Sequence, residues 1–99
     1  SNITEFNSDS FRSWRSAFRE CVKLSSQVIN NQNTSESLER LNTWCNVGID
    51  KPYGKYILDG AKLGREYGSK NKDDTIALKK INDFDWLKEQ YERFYTNTL

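Results

Sequence analysis

Apolar side chains spaced three and four residues apart constrain this chain more than any other feature. Phe11, Trp14, Phe18, Val22 and Ile29 form such a set, with Ser25 in the same register and Cys21 and Val28 beside it. That is the period of an α-helix, not the alternation of a strand. Leu38, Leu41, Trp44 and Cys45 repeat the pattern. So do Tyr53, Tyr56, Ile57, Gly60, Gly64 and Tyr67, and then Trp86, Leu87, Gln90, Tyr91, Phe94 and Tyr95. Stripes of this kind are buried helix against helix. The predicted fold is all-α, a compact bundle or orthogonal array of four to five short helices.

Capping residues set the expected boundaries. Ser8 or Asp9 caps a first helix that runs to about Ile29, where the amides Asn30 to Asn33 end it. Thr34 or Ser35 caps the second, and Gly48 stops it. Asp50 caps the third, with Pro52 in its first turn, and Gly68 ends it. A short helix covers 75–80 with Ile76, Leu78 and Ile81, and Asn82 or Asp83 caps the last. Residues 1–8 read as a polar lead-in and 9–99 as one helical domain. Ser1-Asn2, with no initiator Met, reads as a tag remnant, and hence the chain as a piece of something longer. A chain of 99 residues buries roughly two-thirds of its unfolded surface, enough for one core without metals or disulfides. Trp14, Phe18, Leu41, Trp44, Ile57, Trp86, Leu87 and Phe94 are expected in a single buried cluster.

Gly60, Gly64 and Gly68 recur every four residues on the face of the third helix that should be apolar. Alanine would favour the helix by roughly 1 kcal/mol at each. Glycine there points to close packing: helix one or the last helix should cross here, with an aromatic ring against the glycines. The other reading is a groove for a ligand or partner chain. A membrane interface does not fit, because Lys55, Asp59, Lys62, Arg65 and Glu66 surround the stripe.

Arg12, Arg15, Arg19 and Lys23 fall within about a quarter of the circumference of helix one. They form a candidate binding face for phosphate, an acidic protein surface or nucleic acid. The competing reading has their stems covering the core edge and their charges paired with acids such as Glu39 or Glu92. The net charge of +1 demands neither nucleic acid nor a membrane.

Catalytic signatures are lacking. The chain has no His, the commonest general base and metal ligand. The glycines follow no strand, so they make no phosphate loop. The acidic pairs Asp73-Asp74 and Asp83 with Asp85 suit helix capping, and Asp59 and Glu66 suit pairing with Lys55, Lys62 or Lys70. No catalytic residue, metal or cofactor is expected, and the chain is read as no enzyme. Cys21 and Cys45 read as two buried reduced thiols, with a disulfide as the rarer option. That suits the cytoplasm. Asn2-Ile3-Thr4 and Asn33-Thr34-Ser35 match the glycosylation sequon, which chance yields easily in a chain rich in Asn and Thr. No apolar run approaches a membrane span.

Three stretches also carry a resemblance: Phe11 to Leu24, Gly54 to Gly68, and Lys80 to Leu87. Together they resemble a small helical module of marine phage and environmental proteins, sometimes found at the end of glycosyltransferase-like proteins. The resemblance covers most of the chain and includes no catalytic motif, so it assigns no site residue. It implies an accessory role within a viral or metagenomic protein. The expected function is a non-catalytic interaction module that docks to a protein partner or to the remainder of a longer chain. The alternative is a nucleic-acid-binding domain using the basic face of helix one.

Overall fold

The computed structural model describes residues 8–70 and 79–97. They form an all-α bundle: α1 (Ser8–Ile29), α2 (Thr34–Trp44), α3 (Gly54–Lys70) and α4 (Phe84–Asn97), with residues 79–81 also helical. The short helix expected over 75–80 lies mostly outside the described residues, as does the lead-in before Ser8.

α1 is the central element. It carries neither Pro nor Gly, and Ser8 and Asp9 lie inside its first turn rather than ahead of it as caps. Asp9 there suits the positive end of the helix dipole. Asn31 and Asn33 adopt left-handed backbone with φ of 56° and 47°, which Asn tolerates better than most residues. The chain thereby reverses, and α2 returns antiparallel along α1. Asn33, not Thr34 or Ser35, occupies the N-cap of α2, without a side-chain capping bond. Ser37 Oγ donates to Gln27 Oε1 at 2.8 Å, and Leu41 packs in the cluster of Leu24 and Cys21. Leu38, expected in the stripe, is 47 % exposed, because α2 turns its Ser37 and Leu41 line to α1 instead.

α2 ends at Trp44, before Gly48. Residues 50–53 form turns rather than the expected start of α3. The Gly54 N–H donates to Lys51 O at 2.8 Å across Pro52 and Tyr53, and Tyr53 has φ 57°. Pro second and a positive φ third is the pattern of a type II turn, a place usually held by Gly or Asn. A Cβ on Gly54 would meet the carbonyl oxygen of Gly48, so this corner folds backbone on backbone.

α3 then runs parallel to α1. A Cβ added at Gly60, Gly64 or Gly68 would collide with the carbonyl oxygens of Trp14, Phe18 and Val22 respectively. The register advances one turn on each helix at a time, so the two backbones touch over three turns. Helix one crosses as expected, but carbonyl groups rather than an aromatic ring fill the glycine stripe. Gly68 does not end α3, which continues to Lys70. On α1 the opposing positions are small as well: Cys21 Cβ and Ser25 Cβ are the side-chain atoms nearest the Gly64 and Gly68 positions, and Ala17 is fully buried. Ser25 Oγ also donates to Arg65 O at 2.8 Å.

This contact divides the core. With two backbones touching, no side chain fits between them, and the apolar groups gather on either side. One cluster holds Phe11, Trp14, Phe18, Val22, Tyr56, Ile81, Leu87, Tyr91 and Tyr95, with Trp86 partly buried against it. The other holds Ala17, Cys21, Leu24, Leu41 and Ala61, with Trp44, Cys45 and Ile57 packed against it. The single cluster expected from the sequence is therefore two. Phe94 lies outside the described side chains.

α4 runs opposite to α1 and α3, held off by rings rather than touching their backbones. Trp86 sits by Phe18 and Tyr67, Tyr91 by Trp14 and Tyr56, and Tyr95 by Tyr56, with ring centroids 5.3–6.3 Å apart. Asp83 caps it, accepting from the Trp86 N–H at 3.1 Å. Ser10 Oγ and Tyr91 Oη share a buried hydrogen bond of 2.8 Å.

Candidate functional site

Among the described residues, the sector of α1 left most open by the other helices carries the basic stripe. Arg12 and Arg19 are exposed, and Arg15 and Lys23 are half-buried. Their spacing has a cost. Arg15 and Arg19, and Arg19 and Lys23, stand one turn apart, and each like-charge pair disfavours the helix by roughly 0.2–0.5 kcal/mol. Four cations on the other helices are paired, although Lys62 and Arg65 on α3 have no carboxylate within ion-pair distance among the described residues. Arg40 pairs with Glu36, Lys55 with Asp59, Lys70 with Glu66 and Arg93 with Glu89, each one turn apart, at 2.8–3.3 Å. Among the described residues, no carboxylate lies within ion-pair distance of Arg12, Arg15, Arg19 or Lys23. Glu39 and Glu92, the acids considered as partners from the sequence, do not reach them.

The stripe is not uniform along its length. At its C-terminal end Lys23 lines a shallow groove between α1 and α2 with Glu20, Glu36 and Arg40, where charges of both signs mix. At its N-terminal end Arg12 and Arg15 border a second groove of about 290 Å³, completed by Ser8, Phe11, Phe84 and Lys88. Phe84 is 50 % exposed and stands edge-on to Phe11, centroids 5.4 Å apart. The cationic end thus adjoins an aromatic floor. Phe84 and Lys88 did not stand out in the sequence. Phe84 shares the register of Leu87, Tyr91 and Tyr95 but stands one turn ahead of the set read from the sequence, and only the packing of α4 across α1 brings it to Arg12 and Arg15.

Gly60, Gly64 and Gly68 are buried against α1 and face no open groove. Cys21 is fully buried and Cys45 half-buried, and both thiols are free. Burial pushes the Cys21 thiol up to about 12, with Cys45 nearby adding to it, so Cys21 carries no thiolate at neutral pH. Burial, and then the Asp59 carboxylate that accepts from its hydroxyl at 2.9 Å, raise Tyr95 far above the usual phenol range. Both groups serve the core. Among the described residues, the buried indole N–H of Trp14 finds no hydrogen-bond partner. Among the described residues, no three His, Cys, Asp or Glu side chains converge as metal ligands, and no helix is long and apolar enough to cross a membrane.

Comparison with known proteins finds no matching family model, no matching curated protein and no matching solved structure.

Proposed function

We propose that this chain is a non-catalytic docking module whose recognition surface is the basic face of α1, and that its partner is an acidic protein surface. One observation carries the reading. Arg12, Arg15 and Arg19 have no carboxylate partner among the described residues, in a helix that bears their mutual repulsion, while four cations on the other helices are each paired. An acidic partner would supply the missing counter-charges. The resemblance to an accessory module of phage and environmental proteins supports the same role. Two free thiols in one cluster suit a reducing, cytoplasmic setting.

The same cations favour a second reading, nucleic-acid binding. Against it stand Asp9 and Glu20, which flank the stripe on α1 itself. A protein partner can answer acids with cations of its own. A phosphate backbone cannot.

The test is a titration of the chain with a helical peptide of mixed charge, bearing glutamates on one face, and with a single-stranded oligonucleotide. Binding of the peptide, lost on charge reversal at Arg12, Arg15 and Arg19, is expected. Tighter binding of the oligonucleotide would favour the second reading, with an affinity that drops roughly 20-fold between 50 and 200 mM salt if three phosphates are neutralised.

A further inference from the structure

The groove at the N-terminal end of the basic face has an aromatic floor as well as cations. Phe84 leaves half its surface to solvent at the first turn of α4, although Phe11 beside it is 5 % exposed. Arg12, Arg15 and Lys88 rim it. Its volume of about 290 Å³ lies just below the range of small-molecule pockets, roughly 300–1,000 Å³, and it is open to solvent. A space of that size and openness receives one large apolar side chain, presented by something that stays outside.

The charges indicate what presents it. Arg12, Arg15 and Arg19 are spaced by three and four residues along α1, a straight row rising about 1.5 Å per residue. A second helix laid along α1, with carboxylates at the same intervals, meets each guanidinium in turn. Helix-in-groove recognition works this way, with apolar anchors at helical spacing giving affinity and flanking charges giving register.

We propose that the groove between Phe84 and the Arg12–Arg15 turn seats an apolar anchor side chain of an acidic partner helix, whose carboxylates lie on Arg12, Arg15 and Arg19. This rests on the docking reading above and adds the anchor to it. An extended nucleic acid is disfavoured at this end because Phe84 offers a single ring bordered by Asp83 and Asp85, not a run of stacking platforms.

The experiment uses two synthetic helical peptides with glutamates at i, i+3 and i+7, identical except for Leu or Ala at the anchor position, and a single-stranded oligothymidylate. Each is titrated by calorimetry into the parent chain, Phe84→Ala, Arg12→Glu with Arg15→Glu, and the surface control Lys62→Glu. Thermal melts confirm that each variant is folded. The Leu peptide should bind about tenfold tighter than the Ala peptide. Phe84→Ala should abolish that preference while leaving the Ala peptide unaffected, and the double reversal should abolish binding of both. Equal binding of the two peptides, with the double reversal still abolishing it, would overturn the anchor and leave the docking surface standing. No binding of either peptide at low salt would overturn both. Binding of the oligothymidylate alone would replace the protein partner with a nucleic acid.

Discussion

Glycine at 60, 64 and 68 is set by space rather than by helix propensity. In an exposed helix, Gly→Ala stabilises by roughly 1 kcal/mol. Here the new methyl group would land on a carbonyl oxygen of α1, and neither backbone can yield without opening three turns of contact. Gly60→Ala and Gly64→Ala should therefore destabilise the domain by about 1–3 kcal/mol in denaturant unfolding, the usual cost of overpacking. A Lys62→Ala control on the exposed side should stay within about 0.5 kcal/mol of the parent. Glycine variants as stable as the parent would show that the helices can part. At the α2–α3 corner the sign reverses. Tyr53 holds φ 57°, where a bulky side chain is strained by roughly 1–2 kcal/mol. Tyr53→Asn should raise the melting temperature or leave it unchanged, since the lost ring is 42 % exposed.

At the scale of the element, α1 does two jobs on two faces. Its small residues and aromatics hold α3, α2 and α4, and its remaining sector carries cations with no carboxylate partner among the described residues. The two can be separated experimentally. Arg19→Glu removes two like-charge contacts one turn apart, with Arg15 and with Lys23, and makes both attractive. Helix stability should hold or rise by a few tenths of a kcal/mol by thermal melting, while binding of an acidic peptide falls. A clear loss of stability would mean that Arg19 holds the fold. α4 offers the complementary case. Its first turn depends on the Asp83 cap, and Asp83→Ala should cost about 1 kcal/mol and loosen Phe84, the aromatic floor of the groove.

For the whole molecule, the divided core sets the response to alkali. Burial holds the Cys21 proton to about pH 12, against an ordinary value of 9.0. Above pH 9 the unfolded chain gives up that proton while the folded chain keeps it. The unfolded state then binds fewer protons, and stability falls as pH rises. Below pH 9 both states hold the proton and the contribution is constant. Tyr67, Tyr91 and Tyr95 are raised chiefly by burial and act in the same direction. Denaturant unfolding should therefore show a plateau up to about pH 9 and a decline beyond it. Cys21 alone contributes at most about 1.4 kcal/mol per pH unit. Cys21→Ala should make the decline shallower, and an unchanged slope would mean that the thiol is reached by water.

Period was enough to identify four helices and most of their buried faces, because it is a local property of the chain; of the expected caps Asp83 holds, whereas α2 is capped by Asn33 and α3 begins only at Gly54. The same locality let the glycine stripe announce a close crossing and the arginine row announce an exposed face. Local signals could not choose between partners. That α1 rather than the last helix meets the glycines follows from its matching small residues, Ala17, Cys21 and Ser25, a repeat masked by the aromatics around it. Tertiary packing alone decided that the meeting is backbone on backbone, and so that the core is two clusters. It also decided which apolar residues stay outside. Leu38 and Phe84 are apolar in sequence, but burial depends on what lies opposite. Only where α4 crosses α1 does Phe84 become the floor of a groove rimmed by Arg12 and Arg15.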